Sequence, residues 1–292
     1  MKPAAFDYQR IASADEACAV LAQMGEDARI LAGGQSLMAV LNMRLAQPQR
    51  LLDISRCAPL QQLRVAQGTL QIGAAVTQAT LEWRPGLAQE LPLLQLAFPH
   101  ISHFQVRNRG TVAGSIAHAD PSAELPLCLL ALQGEVLLKS ARASRRVAAE
   151  DFFTGMLQTT RRADELVEAV SFPLARPGQG FGFEEFSVRH GDFAVCAVAA
   201  VADGQQLRIA VGGVADRPVA RNFPLLHGDA LADALNHFAW QLQARDEPQA
   251  SAALRRQLVR QLGRRVAEQA LADRGARVTS GTRTTPLAGA PA

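Results

Sequence analysis

Aromatic side chains are scarce in this chain, making up 5% of 292 residues with one Tyr and two Trp. A core of ordinary density must then be assembled from Ala, Leu and Val. Cysteine is also sparse: the four residues at 18, 57, 128 and 196 are widely spaced and form no C-x-x-C clip. That pattern speaks against a zinc site or an iron–sulfur cluster held by this chain, so no metal is expected here. The opening MKPAAFDYQR has no apolar signal region, and without one a disulfide framework is not expected either. No stretch approaches the roughly 18 uncharged apolar residues of a membrane span, so we expect a cytoplasmic protein with no transmembrane segment. Also missing are G-x-G-x-x-G and G-x-x-x-x-G-K-[ST], which leaves a Rossmann site and a P-loop unsupported.

What is present is ordinary for a globular protein: 48% hydrophobic and 20% charged residues, with a net charge of +3. The length exceeds that of most single domains, so two domains, or one with an appendage, are expected. Much of the basic excess sits at Arg255, Arg256, Arg260, Arg264 and Arg265. This stretch has no aromatics for base stacking and its polar positions recur at helical spacing. It reads as a solvated or partner-facing helix, not a nucleic-acid surface.

The hydrophobic periodicity predicts a helix over Asp15 to Met24, capped near Ser13 and stopped at Gly25. Ile30 and Leu31 form a short strand that runs into the turn Ala32-Gly33-Gly34-Gln35-Ser36 and then a helical pattern. Strands are predicted at Leu51 to Ile54, Leu70 to Ala74, Glu135 to Lys139 and Leu166 to Phe172. Helices are predicted at Leu93 to His100, broken by Pro99, and at Glu124 to Leu132. Leu174 to Gly180 is a candidate linker. Beyond it, two apolar runs, Phe193 to Val201 and Leu207 to Val214, flank a hairpin signal at Asp203-Gly204. Two helices follow, about Ala230 to Gln243 and Ala252 to Asp273, and the residues from 276 to 292 read as a disordered tail.

Two glycine turns carry the chemistry. Bare backbone N–H groups at Ala32 to Ser36 would suit a diphosphate, because glycine lets the chain approach closely and adopt positive φ. The helix start after Ser36 adds a favourable dipole, and the Ser36 hydroxyl can donate to phosphate or cap that helix. Thr111-Val112-Ala113-Gly114-Ser115 forms a second such turn, and the two could clasp one dinucleotide between them.

These residues also carry a family resemblance. LAGGQSLMAVLNMRL, RNRGTVAGSIAHADPSAELP, FSVRHGDFAVCAVAA and GGVADRPVAR occur in the order found in the FAD-binding medium subunits of molybdenum hydroxylases of the xanthine dehydrogenase and carbon monoxide dehydrogenase type. The resemblance covers roughly Pro3 to Arg274. It implies an α+β fold: a two-subdomain FAD-binding domain of the PCMH type over residues 1–175, then a small domain over 176–275 of the carbon monoxide dehydrogenase flavoprotein type. That second domain would have a three-stranded antiparallel sheet and helices.

As implied site residues, Ala32, Gly33, Gly34, Gln35 and Ser36 and Thr111, Val112, Ala113, Gly114 and Ser115 would hold the FAD diphosphate, with Leu31 and Leu37 flanking the first turn in the cofactor site. Glu124, with Asp120 as a second candidate, would bond the ribityl chain. Ile101 would lie against the isoalloxazine, and the Val167 backbone would meet the flavin edge. Ala113 replaces a glycine of the family pattern, and Glu184-Glu185 stand near a position where relatives carry Lys. The implied partners are a large subunit holding molybdenum with a pterin dinucleotide and a small subunit with two two-iron two-sulfur clusters, assembled as a dimer of heterotrimers. Electrons would run from molybdenum through the clusters to FAD and on to an external acceptor.

With the cofactor carrying the redox chemistry, no nucleophile or general base is expected in this chain. His100 and His103 read as structural, and Asp192 as a turn cap after His190-Gly191. His118 is left between a flavin contact and a backbone contact, and Arg107 and Arg109 between phosphate, partner and solvent. Two other functions stay open at this point: a stand-alone flavin reductase or oxidase of the same fold, for which no proton-donor motif is evident, and an assembly subunit without FAD.

Overall fold

The computed structural model describes residues 2–281. Its first sheet holds β1 (Asp7–Arg10), β2 (Ala28–Leu31) and β3 (Arg50–Asp53), all parallel with β3 in the middle. Parallel neighbours need crossover connections, and these contain α1 (Ala14–Met24) and α2 (Leu37–Asn42). Helix α1 starts and stops where its sequence dictates. The Ser13 hydroxyl accepts the Glu16 N–H at 3.1 Å, Glu16 reaches back to the Ala12 N–H at 2.8 Å, and the chain turns at Gly25 with φ 54°. Ser13→Ala should therefore cost about 1 kcal/mol, read as a lower urea midpoint at unchanged slope.

The second sheet is antiparallel throughout. It is built from β4 (Leu63–Ala66), β5 (Thr69–Gly73), β6 (Glu135–Lys139), β7 (Ser144–Ala148) and, beyond the small hairpin β8 (Phe153–Gly155) and β9 (Gln158–Thr159), β10 (Leu166–Pro173). The order β4-β5-β10-β6-β7 places β10 at the centre. Between β5 and β6 run α3 (Gln78–Glu82), α4 (Leu87–Glu90), α5 (Pro92–Ala97), α6 (Phe104–Arg107), α7 (Val112–His118) and α8 (Glu124–Ala131), and α9 (Ala149–Phe152) follows β7.

Two expectations change here. The helix predicted to reach His100 ends at Ala97 and tightens into a 3-10 turn at Phe98–His100, which contains Pro99. The second glycine turn is the start of helix α7: the Thr111 side chain caps it by accepting the Gly114 N–H at 3.0 Å.

The third sheet is an antiparallel meander of β11 (Gly180–Phe186), β12 (Cys196–Ala202), β13 (Gln206–Gly212) and β14 (Val219–Pro224). It has four strands where three were expected, because the half-exposed β14 pairs with β13 along six positions. The predicted turn stands: Asp203 Oδ1 accepts the Gln205 and Gln206 amides at 2.8 and 2.9 Å. Strand β12 reads CAVAAVA and is buried throughout, because both its faces are covered. Ala197 and Ala199 pack into the core shared with the first two sheets, while Cys196, Val198 and Ala200 face α10 (Gly228–Gln241) and α11 (Ala252–Gly281). Small side chains let these layers approach, as the shortage of aromatics requires.

Helix α11 runs through Gly281, so the part of the expected tail from 276 to 281 is helical, and 282–292 lie outside the described residues. The basic residues singled out in the sequence each have a partner, some of them on the solvent-facing side of the helix. Arg255 is buried, Arg256 stacks on Trp240, Arg260 meets Asn236, Arg264 meets Glu268 and Arg265 meets Glu184. Among the described residues no helix is long and apolar enough to cross a membrane.

Candidate functional site

Ligands of open parallel sheets bind beyond the carboxyl ends of the strands. The first glycine turn occupies that place, leaving β2 at Leu31 and entering α2 at Leu37. Gly34 has φ 75°, a left-handed conformation that costs glycine little. Gly33 has another reason. A Cβ there would overlap the Arg109 carbonyl oxygen and stand 2.6 Å from Gly110 Cα. The backbones of the two sequence-distant turns therefore touch, and glycine permits it.

A cavity of about 880 Å³ opens beside that contact, within the range of small-molecule and cofactor sites. Ala32, Gly33, Gly34, Gln35, Ser36 and Leu37 line it from one side, and Thr111, Ala113, Gly114 and Ser115 from the other. Ile101, Asp120, Glu124 and Val167 complete the set of sequence-derived residues on its wall. Leu31 and Val112 do not line it. A Leu31 side-chain carbon packs under Gly34, and Val112 is buried, with its N–H donated to Val76 O at 3.1 Å.

The two turns offer a ligand different things. In the first, the Met38 amide donates to Gly34 O at 3.1 Å, so the amides of Gln35, Ser36 and Leu37 precede the helical ladder. The Ser36 hydroxyl makes no cap bond, and Gln35 Nε2 braces the turn at Gly33 O, 3.1 Å away. In the second turn three amides already serve the protein: Val112 to Val76 O, Gly114 to the Thr111 hydroxyl and Ser115 to Thr111 O. Ala113 lies within a right-handed helix, where its methyl is tolerated. Bare amides and a glycine close approach fit a dinucleotide diphosphate, with most of the free donors on the first turn.

Electrostatics single out Glu124, at the start of α8. Burial, then the charge of Glu185, then that of Asp120 push its carboxyl up to about 8. It thus carries a proton through the neutral range. Relative to an unfolded chain, this proton is held only in the folded state between about 4.5 and about 8, so on this account stability declines as pH rises through that window. His118 also lines the cavity, and burial lowers its basicity against the opposing pull of Asp120. Asp120 Oδ1 accepts the Ser122 amide at 2.8 Å, bracing the entry to α8.

Arg107 is committed elsewhere, bonding both Glu82 oxygens at 2.8 and 3.0 Å and Ile101 O at 2.8 Å, so it braces the loop beneath Ile101. Arg109 contributes its carbonyl to the contact with Gly33. Gly191, Asp192 and Phe193 also reach the cavity, from the β11–β12 connection, where the sequence pointed only to a turn capped by Asp192. The sequence signal was a Phe next to a glycine-containing turn. That Phe is exposed, a poor choice for a mere strand leader. Arg29 and Arg161 also line the cavity. Arg161 is held by the carbonyls of Arg162 and Glu165 at 2.8 and 2.9 Å.

A cofactor-sized cleft pinched between a parallel sheet and an antiparallel one, with a glycine turn from each side, defines a nucleotide-cofactor protein of α+β class. The chain belongs to the FAD-binding medium subunits of the molybdenum hydroxylases, since a sequence family described as "FAD binding domain in molybdopterin dehydrogenase" matches residues 4–175. It is 43% identical over 218 residues to the nicotine 6-hydroxylase medium subunit of Paenarthrobacter nicotinovorans, covering 73% of this chain and 76% of that one. It is 38% identical over 225 residues to caffeine dehydrogenase subunit beta of Pseudomonas sp. strain CBB1, covering 75% and 76%. Its fold superposes on a chain of reconstituted CO dehydrogenase from Oligotropha carboxidovorans with a TM-score of 0.89, at 30% identity over 94% of this chain and 100% of the other. FAD is accordingly its cofactor, and the chain is an oxidoreductase subunit.

Proposed function

We propose that this chain is the electron-carrying middle subunit of a heteromeric molybdenum hydroxylase, taking electrons from an iron–sulfur small subunit and passing them to an external acceptor. The small subunit would hold two two-iron two-sulfur clusters. A large subunit would bind molybdenum with its pterin and hydroxylate the substrate, and the assembly would be a cytoplasmic dimer of heterotrimers. Residues 1–175 would form the FAD-binding domain, of the PCMH type with two subdomains, and 176–275 the C-terminal domain. The observation that carries this reading is the convergence of two sequence-distant turns on one cleft.

FAD, when bound, supplies the redox chemistry; the chain supplies position, charge and exclusion of water. The amides of Gln35 to Leu37 and the start of α7 would hold the diphosphate, Glu124 would bond the ribityl chain, and Ile101 and Val167 would pack against the ring system. No side chain of this subunit needs to act as nucleophile or general base. The names of the relatives, a medium subunit and a subunit beta, favour this reading over a stand-alone flavin reductase.

The test is reconstitution. Substrate should bleach the flavin band only when the iron–sulfur and molybdenum subunits are both present. Rapid bleaching by substrate of this chain alone would overturn the relay.

A further inference from the structure

The glycine turns do not account for the charge of the cofactor cleft. A dinucleotide carries negative charge on each phosphoryl group, and the cleft wall is itself acidic at Asp120, Asp192 and Glu165. Amides and the dipole of the six-residue helix α2 offer only partial positive charge. Among the described residues of the wall, the side chains with a full positive charge are Arg29 and Arg161. They reach it from separate segments. Arg29 lies in β2, four residues ahead of Gly33, at most about 13 Å along an extended chain. Arg161 follows β9, two residues past Thr159.

Arg161 is held in place and left with donors to give. Its Nη1 donates to the carbonyls of Arg162 and Glu165 at 2.8 and 2.9 Å. Its Nε and Nη2 make no hydrogen bond among the described residues, although the side chain is half-buried. Two neighbouring carboxylates are committed elsewhere. Glu165 accepts Arg145 at 2.7 and 2.9 Å and the Arg162 amide at 2.8 Å, and Glu26 pairs with Arg29 at 2.6 Å. Burial first, then the charge of Arg29, work against the Arg161 cation; Glu26, Glu165 and Asp164 offset them only in part. A guanidinium stays protonated even so. The fold therefore keeps a half-buried cation on a cavity wall beside a second one, an unfavourable arrangement unless an anion arrives.

We propose that Arg161, supported by Arg29, is the counter-charge of the cofactor diphosphate, a binding role separate from that of the glycine turns. This rests on the assignment of the cleft to FAD. The turns give directional hydrogen bonds at contact distance, and the arginines give attraction that acts across the cleft. A unit charge roughly 10 Å from the phosphates, in a partly dry site, is worth about tenfold in affinity. Arg29 contributes less, because Glu26 already offsets its charge.

The experiment titrates the full-length chain, stripped of flavin, with FAD by fluorescence quenching at low and high salt, about 0.05 and 0.5 M. Arg161→Met should bind roughly tenfold more weakly than wild type at low salt, and Arg161→Lys, which keeps the charge, within about threefold of it. Salt should weaken wild type more than Arg161→Met, because there is less attraction left to screen in the variant. Wild-type affinity in Arg161→Met overturns the proposal. So does a Lys variant as weak as the Met variant, which would mark Arg161 as a structural brace, or an equal salt response in wild type and Arg161→Met. Should Arg161→Met fail to fold, a wild-type affinity indifferent to salt overturns it still. A wrong cleft assignment shows separately, as a Gly33→Val chain that binds FAD normally.

Discussion

Gly33→Val should leave the purified protein nearly colourless. The new Cβ would overlap the Arg109 carbonyl and crowd Gly110 Cα, and both obstacles are backbone that no rotamer change removes. Overpacking of this kind costs about 2 kcal/mol. If the two turns are forced apart at the point where they frame the cleft, that cost appears in cofactor affinity as roughly 30-fold weaker binding. The ratio of flavin absorbance near ~450 nm to protein absorbance measures it. Gly114→Val should do less, because its Cβ meets the Thr111 hydroxyl, 2.6 Å away, a side chain that can rotate at the expense of one helix cap. Equal, undiminished flavin in both variants would detach the turns from the site.

Arg255→Met should produce the largest loss of stability on helix α11. The Arg255 side chain is buried and donates to Val195 O at 2.9 Å, to Gly213 O and to Glu247 at 2.5 Å. It thereby ties the start of α11 to the ends of β12 and β13. Methionine fills similar space and leaves two carbonyls and a carboxylate without their donor, at a cost of about 3 kcal/mol. Calorimetry should show Tm falling by roughly 6–12 °C. Arg264→Ala, on the same helix and in the same basic run, should leave Tm within error, since its partner Glu268 is half exposed and the guanidinium stands in solvent. The contrast separates one buried anchor from the solvated face that the charge pattern describes.

The sequence made some elements legible and hid others for physical reasons. Helix α1 was readable because Ser13, Glu16 and Gly25 stand at its ends, and β6 because an apolar run between Glu135 and Lys139 coincides with its limits. Strands β1, β4 and β7 were not called: they are short and largely exposed, so no apolar face marks them. Helix α7 passed for a loop because Thr111 before it and Gly114 and Ser115 in its first turn read as turn residues, although Thr111 three residues before Gly114 is a capping arrangement.

At the site, the glycine turns were visible because backbone approach demands a particular residue type. The arrival of Gly191 to Phe193 at the cavity was not, since it depends on tertiary folding of a distant hairpin connection. Glu185 drew notice only as a departure from a family pattern; its burial beside His100 depends on which face of β11 it occupies.

All four cysteines lie in the interior, and burial lifts Cys18 to about 11 and Cys196 to about 12, with Cys57 and Cys128 raised as well. A flavoprotein that meets dioxygen risks generating peroxide, and peroxide attacks thiolates. In the native chain no thiolate is on offer at working pH. The same arrangement turns the cysteines into an alarm: a maleimide that stays inert toward the intact fold will label the chain as soon as a core layer opens, so its reaction rate reports local unfolding without any added probe.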